Sequence, residues 1–129
     1  NGNLWMVNFI KRAKVETITI DGVSGQNLFV GELKEHKINI KPILPKVSEV
    51  ITANSKWEQS IYQKNICHND QPSLTEVVTN CQKRTIGTQG GFGYKSIFED
   101  RDISLMDSAI LAVWACSEVK PVKKQRIRY

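Results

Sequence analysis

The stretch VETITIDGVSGQNLFVGELKEHKINIKPILP (residues 15–45) decides the fold class that the sequence predicts. Residues 15–21 are rich in β-branched side chains and predict an interior strand of a parallel or mixed sheet. A helix is predicted next, and residues 38–45 predict a second strand that ends at a proline. The residues predicted to form the buried face of the helix are Leu28, Phe29 and Leu33. Strand, helix and strand in alternation favour an α/β fold with helices flanking the sheet.

Four more helices are predicted from apolar residues at helical spacing. They cover residues 4–13, 47–66, a short stretch that begins at Pro72, and 104–119. In the first of them, Trp5 and Phe9 lie four positions apart, and Val7 and Ile10 lie close to the face that they form. In the last, the predicted buried face consists of Met106, Ile110, Val113 and Trp114. Residues 84–98 contain four glycines and predict a loop or loose hairpin that leads into a short strand ending near Phe98.

Length, composition and cysteine spacing bound the class of protein. The 129 residues are the size of one domain, and 40% apolar residues suffice for a single core. No apolar run approaches the roughly 20 residues that a membrane-spanning helix needs, so no membrane partner is predicted. The spacing of Cys67, Cys81 and Cys116 fits no zinc pattern, and the odd count favours a reducing compartment. We expect the three cysteines to be small core residues.

The charge of the chain is uneven along the sequence. The formal net charge is +5, and the final segment KPVKKQRIRY (residues 120–129) carries five Lys and Arg residues and no acid. Such a tail can pair with phosphates. The alternative, a solvated and flexible terminus, stays open on this feature alone.

Two carboxylates stand where functional groups collect in α/β proteins. Asp21 closes the first predicted strand and is followed by Gly22, and Asp107 lies in the first turn of the last predicted helix. Ligand sites gather at the carboxyl ends of strands, especially before a glycine-rich turn. Two hard oxygen ligands would hold Mg²⁺ or Mn²⁺, with Asp102 or Asp100 as an auxiliary ligand.

Each carboxylate also has a purely structural interpretation. Asp107 stands three residues after Ser104, so SLMD is also the pattern of a capping box. Asp21 can be a turn residue whose carboxylate accepts hydrogen bonds from the following amides. The acidic run around Asp102 can be a solvated loop. From spacing alone, both interpretations stay open.

Three segments in order carry a resemblance to a known family. VETITIDGVSGQNLFVGELKEHKI, HNDQPSL and ISLMDSAILAVWAC resemble the C-terminal nuclease domain of the large subunit of tailed-bacteriophage terminases. The resemblance runs from about Phe9 to Cys116. It implies an RNase H-like α/β fold that cuts concatemeric DNA during genome packaging with a two-metal Mg²⁺ or Mn²⁺ site. Asp21 and Asp107 match two of the family's acidic residues, and the match therefore implies that both are catalytic metal ligands.

The same resemblance implies partners and a location. Double-stranded DNA would be the substrate, with the terminase small subunit and the portal or procapsid as partners, in the cytoplasm of a bacterial host. Around the glycine-rich loop, the cations expected to hold the DNA backbone are Lys83, Arg84 and Lys95; a mobile surface hairpin is the alternative. The HNDQPSL segment matches a stretch that we take as structural.

The chain departs from the family at its N-terminal side. The family's first acidic residue lies on an opening strand, and this sequence lacks that strand. It also lacks the family's ATPase motor. We therefore expect a partial nuclease domain over residues 1–119, a basic tail over 120–129, and an uncovered sheet edge that favours self-association. There are two alternatives. One is another RNase H-like nuclease of the junction-resolvase type, and the other is a non-catalytic DNA- or procapsid-binding module.

Overall fold

The structure, a computed structural model, describes residues 2–22 and 25–118. The predicted basic tail, residues 120–129, lies outside the described residues. The chain divides into two compact units, Asn1–Lys46 and Val47–Tyr129. The described residues form five helices and one two-stranded antiparallel sheet, which confirms a mixed α/β class.

The first unit is built on two helices, α1 (Leu4–Arg12) and α2 (Gln26–Glu35). Its buried core consists of Val7, Phe29 and Leu33, and partly buried residues pack around it: Met6, Ile10, Ile18, Ile20 and Ile38. The N-terminal end of α1 is tied to α2 by the Asn3 amide, which donates to the Glu32 carboxylate at 3.0 Å. The isoleucines of the extended segments thus cover the helix pair.

The two extended segments do not form the strands that the sequence predicts. They meet only at a parallel bridge between Thr19 and Ile43. The Ile43 N–H donates to the Ile18 carbonyl at 2.8 Å, and the Ile20 N–H donates to the Ile43 carbonyl at 3.0 Å. The next donor of a parallel ladder would be residue 45, and Pro45 has no N–H. The ladder therefore stops, and the prediction of two full strands was wrong.

Helix α1 packs through only part of the predicted apolar set, since Val7 and Ile10 contact the core but Trp5 and Phe9 do not. Trp5 and Phe9 are 66% and 52% exposed, whereas Val7 is fully buried. On α2, Leu28 is 72% exposed while Phe29 and Leu33 are buried, as predicted. The prediction that Trp5, Phe9 and Leu28 pack inward was wrong, because apolar residues surround α1 and spacing alone does not say which side meets the core.

The second unit contains the three other helices and the sheet. These are α3 (Val47–Tyr62), α4 (Pro72–Thr79), β1 (Cys81–Ile86), β2 (Gly91–Ser96) and α5 (Ser104–Glu118). Helix α3 ends four residues before the predicted end. Lys64 adopts a left-handed φ of 58°, and the Asn65 N–H donates to the Ser60 carbonyl at 2.9 Å. This Schellman arrangement satisfies the last carbonyls and closes the helix.

The core of the second unit lies where α5 packs against α3 and α4. On α5 the buried residues are Met106, Ile110, Leu111, Trp114 and Ala115, and on α3 they are Ala53, Asn54 and Trp57. The predicted face of α5 is confirmed, with Val113 half-buried at its margin. The α5 pattern was readable because its apolar residues recur at three- and four-residue steps.

The predicted loose hairpin is a regular one. Strand β1 pairs with β2 in antiparallel register from Cys81↔Ser96 to Ile86↔Gly91. The turn between them uses left-handed φ values of 70° at Gly87 and 83° at Gly90. Asn54 of α3 is buried and donates its amide to the Phe92 carbonyl at 3.1 Å. A side chain at Gly91 would meet Ile51 of α3 at 2.7 Å, so this glycine allows close helix–strand packing.

The cysteines are free thiols, and only one of them is even partly buried. Cys67 and Cys116 are exposed, and Cys81 is half-buried. The prediction of core positions was therefore wrong for Cys67 and Cys116. Among the described residues, no helix is both long enough and apolar enough to cross a membrane.

Ile110→Ala should destabilise the second unit by about 2–5 kcal/mol, because the buried Ile110 (2% exposed) leaves a cavity when truncated. The matched change Ile97→Ala, at a side chain that is 49% exposed, should cost less than about 1 kcal/mol. Urea unfolding followed by circular dichroism measures both. Equal losses would mean that α5 is not the core helix.

Tyr94 should make the unfolding free energy fall in alkali. Burial, and then the negative charge of Glu58, raise the pKa of Tyr94 to about 12 from a usual 10.0. The neutral phenol favours the folded state, so its contribution is complete below pH 10.0 and declines as the pH rises toward about 12. Tyr94→Phe should flatten this decline in urea titrations at increasing pH. The charge of Tyr62 is the smallest of the causes that raise this pKa, so Tyr62→Phe should reduce the decline much less than Tyr94→Phe does. Equal curves for both variants would contradict the assignment.

Candidate functional site

Asp21 lies at the carboxyl end of the bridged segment in the first unit. Its side chain is exposed, and Gly22 after it adopts a φ of 105°, a value that favours glycine. The Ile20 carbonyl, which the proline at position 45 cannot pair, accepts a hydrogen bond from the Gln26 amide at 2.9 Å. The first turn of α2 thereby holds the backbone just before Asp21. The carboxylate is accessible to solvent at a place that the backbone fixes.

Asp107 lies in the first turn of α5 in the second unit, and it is exposed. Its N–H donates to the Ile103 carbonyl at 2.9 Å. Ser104 is therefore already inside the helix, and the capping box that SLMD suggested is not formed at this N–H. A carboxylate here benefits from the positive end of the helix dipole. The neighbouring Met106 is buried, which anchors the turn that carries Asp107.

Asp102 stands just before α5 and has a local structural role. Its carboxylate accepts a hydrogen bond from the Ser104 N–H at 3.0 Å. Hydrogen bonds from the Ser104 backbone and side chain lower the pKa of Asp102. These hydrogen bonds stabilise the start of the helix. The role of Asp102 as an auxiliary metal ligand stays a prediction.

The residues of the second unit fit a hard cation in chemistry, because Asp102 and Asp107 offer exposed carboxylate oxygens at one helix end. Within residues 2–22 and 25–118, no group of three or more His, Cys, Asp and Glu side chains is assembled that could hold a metal ion. Asp21 belongs to the first unit, Asn1–Lys46. The metal site as a whole stays a prediction.

Cys81 shows which part of the second unit lies beside Asp107. Its thiol donates to the Val78 carbonyl at 3.2 Å, and its sulfur lies 3.3 Å from the Met106 sulfur. Burial raises the pKa of the Cys81 thiol, and the negative charge of Asp107 raises it further. The start of β1 and the first turn of α5 are therefore neighbours. Sequence reasoning missed this neighbourhood, since nothing in the spacing of the two residues signals it.

The three predicted DNA-binding cations all lie on the hairpin and are exposed. Lys83 faces Tyr94 across the sheet, so the alternation of strand side chains places Arg84 and Lys95 together on the opposite face. Arg84 donates to the Tyr94 carbonyl at 3.2 Å. The sheet thus brings two of the three cations onto one face.

Lys83 is held by contacts within the protein. Its ammonium forms an ion pair with Glu58 of α3 and lies 4.4 Å from the centre of the Phe92 ring. A phosphate would compete with Glu58 for this ammonium group. The ion pair was not predictable from sequence, because 25 residues separate its partners. The alternating Gly-Phe-Gly-Tyr pattern of β2, by contrast, was a signal for a strand that a period-two search would find.

The HNDQPSL segment has the structural role expected of it. The Asp70 N–H donates to Nδ1 of His68 at 2.9 Å, and Asp70 adopts a left-handed φ of 56°. This tight turn is followed by Pro72 at the start of α4, a position where proline costs no hydrogen bond. The segment therefore closes the loop that follows α3 and begins α4.

Asp107→Asn should make Cys81 reactive at lower pH. Removing the negative charge beside the thiol lowers the pKa of Cys81, so a larger fraction is thiolate at any given pH. The measurement is the rate of alkylation by iodoacetamide against pH, read for the Cys81 peptide by mass spectrometry. Asp102→Asn serves as the matched control and should leave the profile in place. An unchanged profile for Asp107→Asn would show that the charge of Asp107 does not act on the Cys81 thiol.

Comparisons were made with protein-family models, curated proteins and solved structures, and nothing matches this chain in any of the three.

Proposed function

We propose that this chain is part of a metal-dependent DNA endonuclease, the RNase H-like nuclease of a viral genome-packaging terminase that cuts concatemeric DNA. The observation that carries the proposal is the position of the two candidate ligands. Asp21 and Asp107 are both exposed, and each stands at the end of an element whose backbone is held by hydrogen bonds. The mixed α/β class and the order of the three matching segments support it.

The candidate ligands would each hold a cation through carboxylate oxygens. Asp107 and Asp21 would be the principal ligands, and Asp102 would be an auxiliary ligand. When bound, Mg²⁺ or Mn²⁺ ions would supply an activated water and stabilise the leaving oxygen of a phosphodiester. The chain's own part is to present oxygen donors from a rigid frame. The buried Met106 and Ile110 fix the helix that carries Asp107.

The hairpin would contact the DNA backbone without reading sequence. Arg84 and Lys95 are exposed side chains on the same side of the hairpin, and Lys83 would exchange Glu58 for a phosphate. Under the same proposal, the terminase small subunit and the portal or procapsid are the protein partners, self-association is expected, and the protein acts in the cytoplasm of a bacterial host. Such an enzyme would bind duplex DNA.

A second candidate is a non-catalytic DNA- or procapsid-binding fragment. Two observations favour it. Asp102 uses its carboxylate to stabilise α5, which is a structural role. Residues 47–118 carry nine Asp and Glu against six Lys and Arg, so this part of the second unit repels a phosphate backbone on average, which favours the procapsid over DNA as the bound partner. A resolvase-type nuclease would use the same chemistry on branched DNA, and the preferred substrate distinguishes it.

Asp21→Asn and Asp107→Asn should each reduce cleavage of circular duplex DNA in Mn²⁺ to background, since each removes a charged ligand without changing shape. The measurement is plasmid nicking and linearisation on gels, with this chain and with any longer natural protein that contains it. Asp70→Asn is the matched control: asparagine suits the left-handed φ of 56°, so cleavage and fold should persist. Circular dichroism checks the fold of all three.

Two outcomes would overturn the proposal. Undiminished cleavage by both ligand variants would remove Asp21 and Asp107 from the site. Absence of cleavage, together with a calorimetric Mn²⁺ titration that shows no heat dependent on Asp107, would favour the non-catalytic fragment. Cleavage of four-way junctions in preference to linear duplex DNA would favour the resolvase.

A further inference from the structure

Helix α1 exposes an aromatic face that its own unit leaves uncovered. The helical positions of Trp5, Asn8, Phe9 and Arg12 lie within one third of the circumference. All four side chains are exposed, Trp5 by 66% and Phe9 by 52%. Exposed large aromatic side chains that cluster on one face mark an interaction site more often than scattered ones do.

The opposite face of α1 fixes this orientation. Val7 is fully buried in the core with Phe29 and Leu33, and Met6 and Ile10 pack against that cluster. Rotating α1 to bury Trp5 would expose Val7. The aromatic face is thus a consequence of how the core is built within the unit.

The spacing of the two aromatics suits stacked bases. Residues four apart on a helix are separated by about 6 Å along its axis and project from one side. Aromatic side chains arranged in this way accept successive bases of a single strand, because every base has a π face. In duplex DNA the base faces are stacked on one another and are not available to such side chains.

The charge around this face is complementary to phosphate. Residues 2–15 contain Lys11, Arg12 and Lys14 and no carboxylate. The whole of residues 1–46 carries seven Lys and Arg against four Asp and Glu. A strand whose bases stack on Trp5 and Phe9 would therefore find cations for its backbone at the C-terminal end of α1.

A lipid surface fits the same face less well. Interfacial helices place their cations on a polar face opposite the apolar one. Here Arg12 continues the line of Trp5 and Phe9, and α1 has nine residues. Burying the aromatics in lipid would bury this guanidinium group with them.

We propose that the face of α1 formed by Trp5, Asn8, Phe9 and Arg12 binds single-stranded nucleic acid by base stacking and phosphate contact. This site uses none of the proposed nuclease ligands, and it requires no metal. Its recognition is independent of sequence, since stacking accepts any base.

The test measures the fluorescence anisotropy of a labelled oligothymidylate of about 15 nucleotides, within the span expected of such sites, in EDTA so that no cleavage occurs. Trp5→Ala and Phe9→Ala should each weaken binding by about fivefold or more. Arg12→Ala should lower the slope of log affinity against log salt by about 0.7. Trp5→Phe should keep most of the affinity because it retains a stacking ring.

Leu28→Ala is the matched control, since Leu28 is an apolar side chain on α2 of the same unit that is 72% exposed. It should leave the affinity unchanged. Circular dichroism shows that each variant is folded. Because the measurement excludes metal, its result does not depend on whether the proposed nuclease is active.

Three results would overturn the proposal. One is no anisotropy change at protein concentrations up to about 100 µM, the weak end of non-specific binding. Another is binding that Trp5→Ala leaves intact. The third is that the unmodified chain does not bind oligothymidylate but cosediments with phosphatidylglycerol vesicles or forms dimers in ultracentrifugation, and that Trp5→Ala abolishes this behaviour. Those results would assign the aromatic face to lipid or to a second copy of the chain.

Discussion

The packing of α5 against α3 is the interaction on which the second unit depends. Most of the buried apolar side chains of this unit lie on these two helices, and the first turn of α5 is fixed by Met106. From this frame, Asp107 projects into solvent beside Cys81, and the buried Asn54 ties α3 to β2. Because cores are close-packed, small changes in α5 would move the candidate ligand with it. A rigid carboxylate is what a metal site requires.

In the first unit, the parallel pairing is limited by the backbone N–H that Pro45 lacks. Pro45 ends the parallel bridge after one repeat, and the Gln26 amide satisfies the Ile20 carbonyl instead. Buried or half-buried carbonyls need a partner, so a side chain from α2 takes the position that a ladder N–H would have held. This contact holds the backbone directly before Asp21. Pro45 therefore prevents the pairing from continuing toward Asp21, and the Gln26 side chain holds the Ile20 carbonyl there.

Charge is distributed unevenly along the chain in a way that bears on both proposals, and the five Lys and Arg of residues 120–129 offset the acidic balance of residues 47–118. Residues 47–118 are acidic on balance and suit a cation, while residues 1–46 are basic on balance and suit phosphate. On the hairpin, Glu58 already occupies Lys83, so its free cationic surface is smaller than composition suggests. Residues 2–15, which contain the aromatic face of α1, have no Asp or Glu, and the nearest acid in sequence is Glu16. The aromatic face of α1 is therefore a better candidate for nucleic-acid contact than the hairpin.

The sequence by itself determined where the five helices lie, the buried face of α5 and the two acids at element ends. Those features depend on local periodicity and on residues close in the chain. Only the tertiary structure decided how far the extended segments pair, which side of α1 is buried, that Cys81–Ile86 is a strand, and that Glu58 holds Lys83. Each depends on partners distant in sequence: a ladder donor that Pro45 lacks, a core that selects Val7 over Trp5, and a helix that meets the hairpin. Local spacing carries no information about such partners.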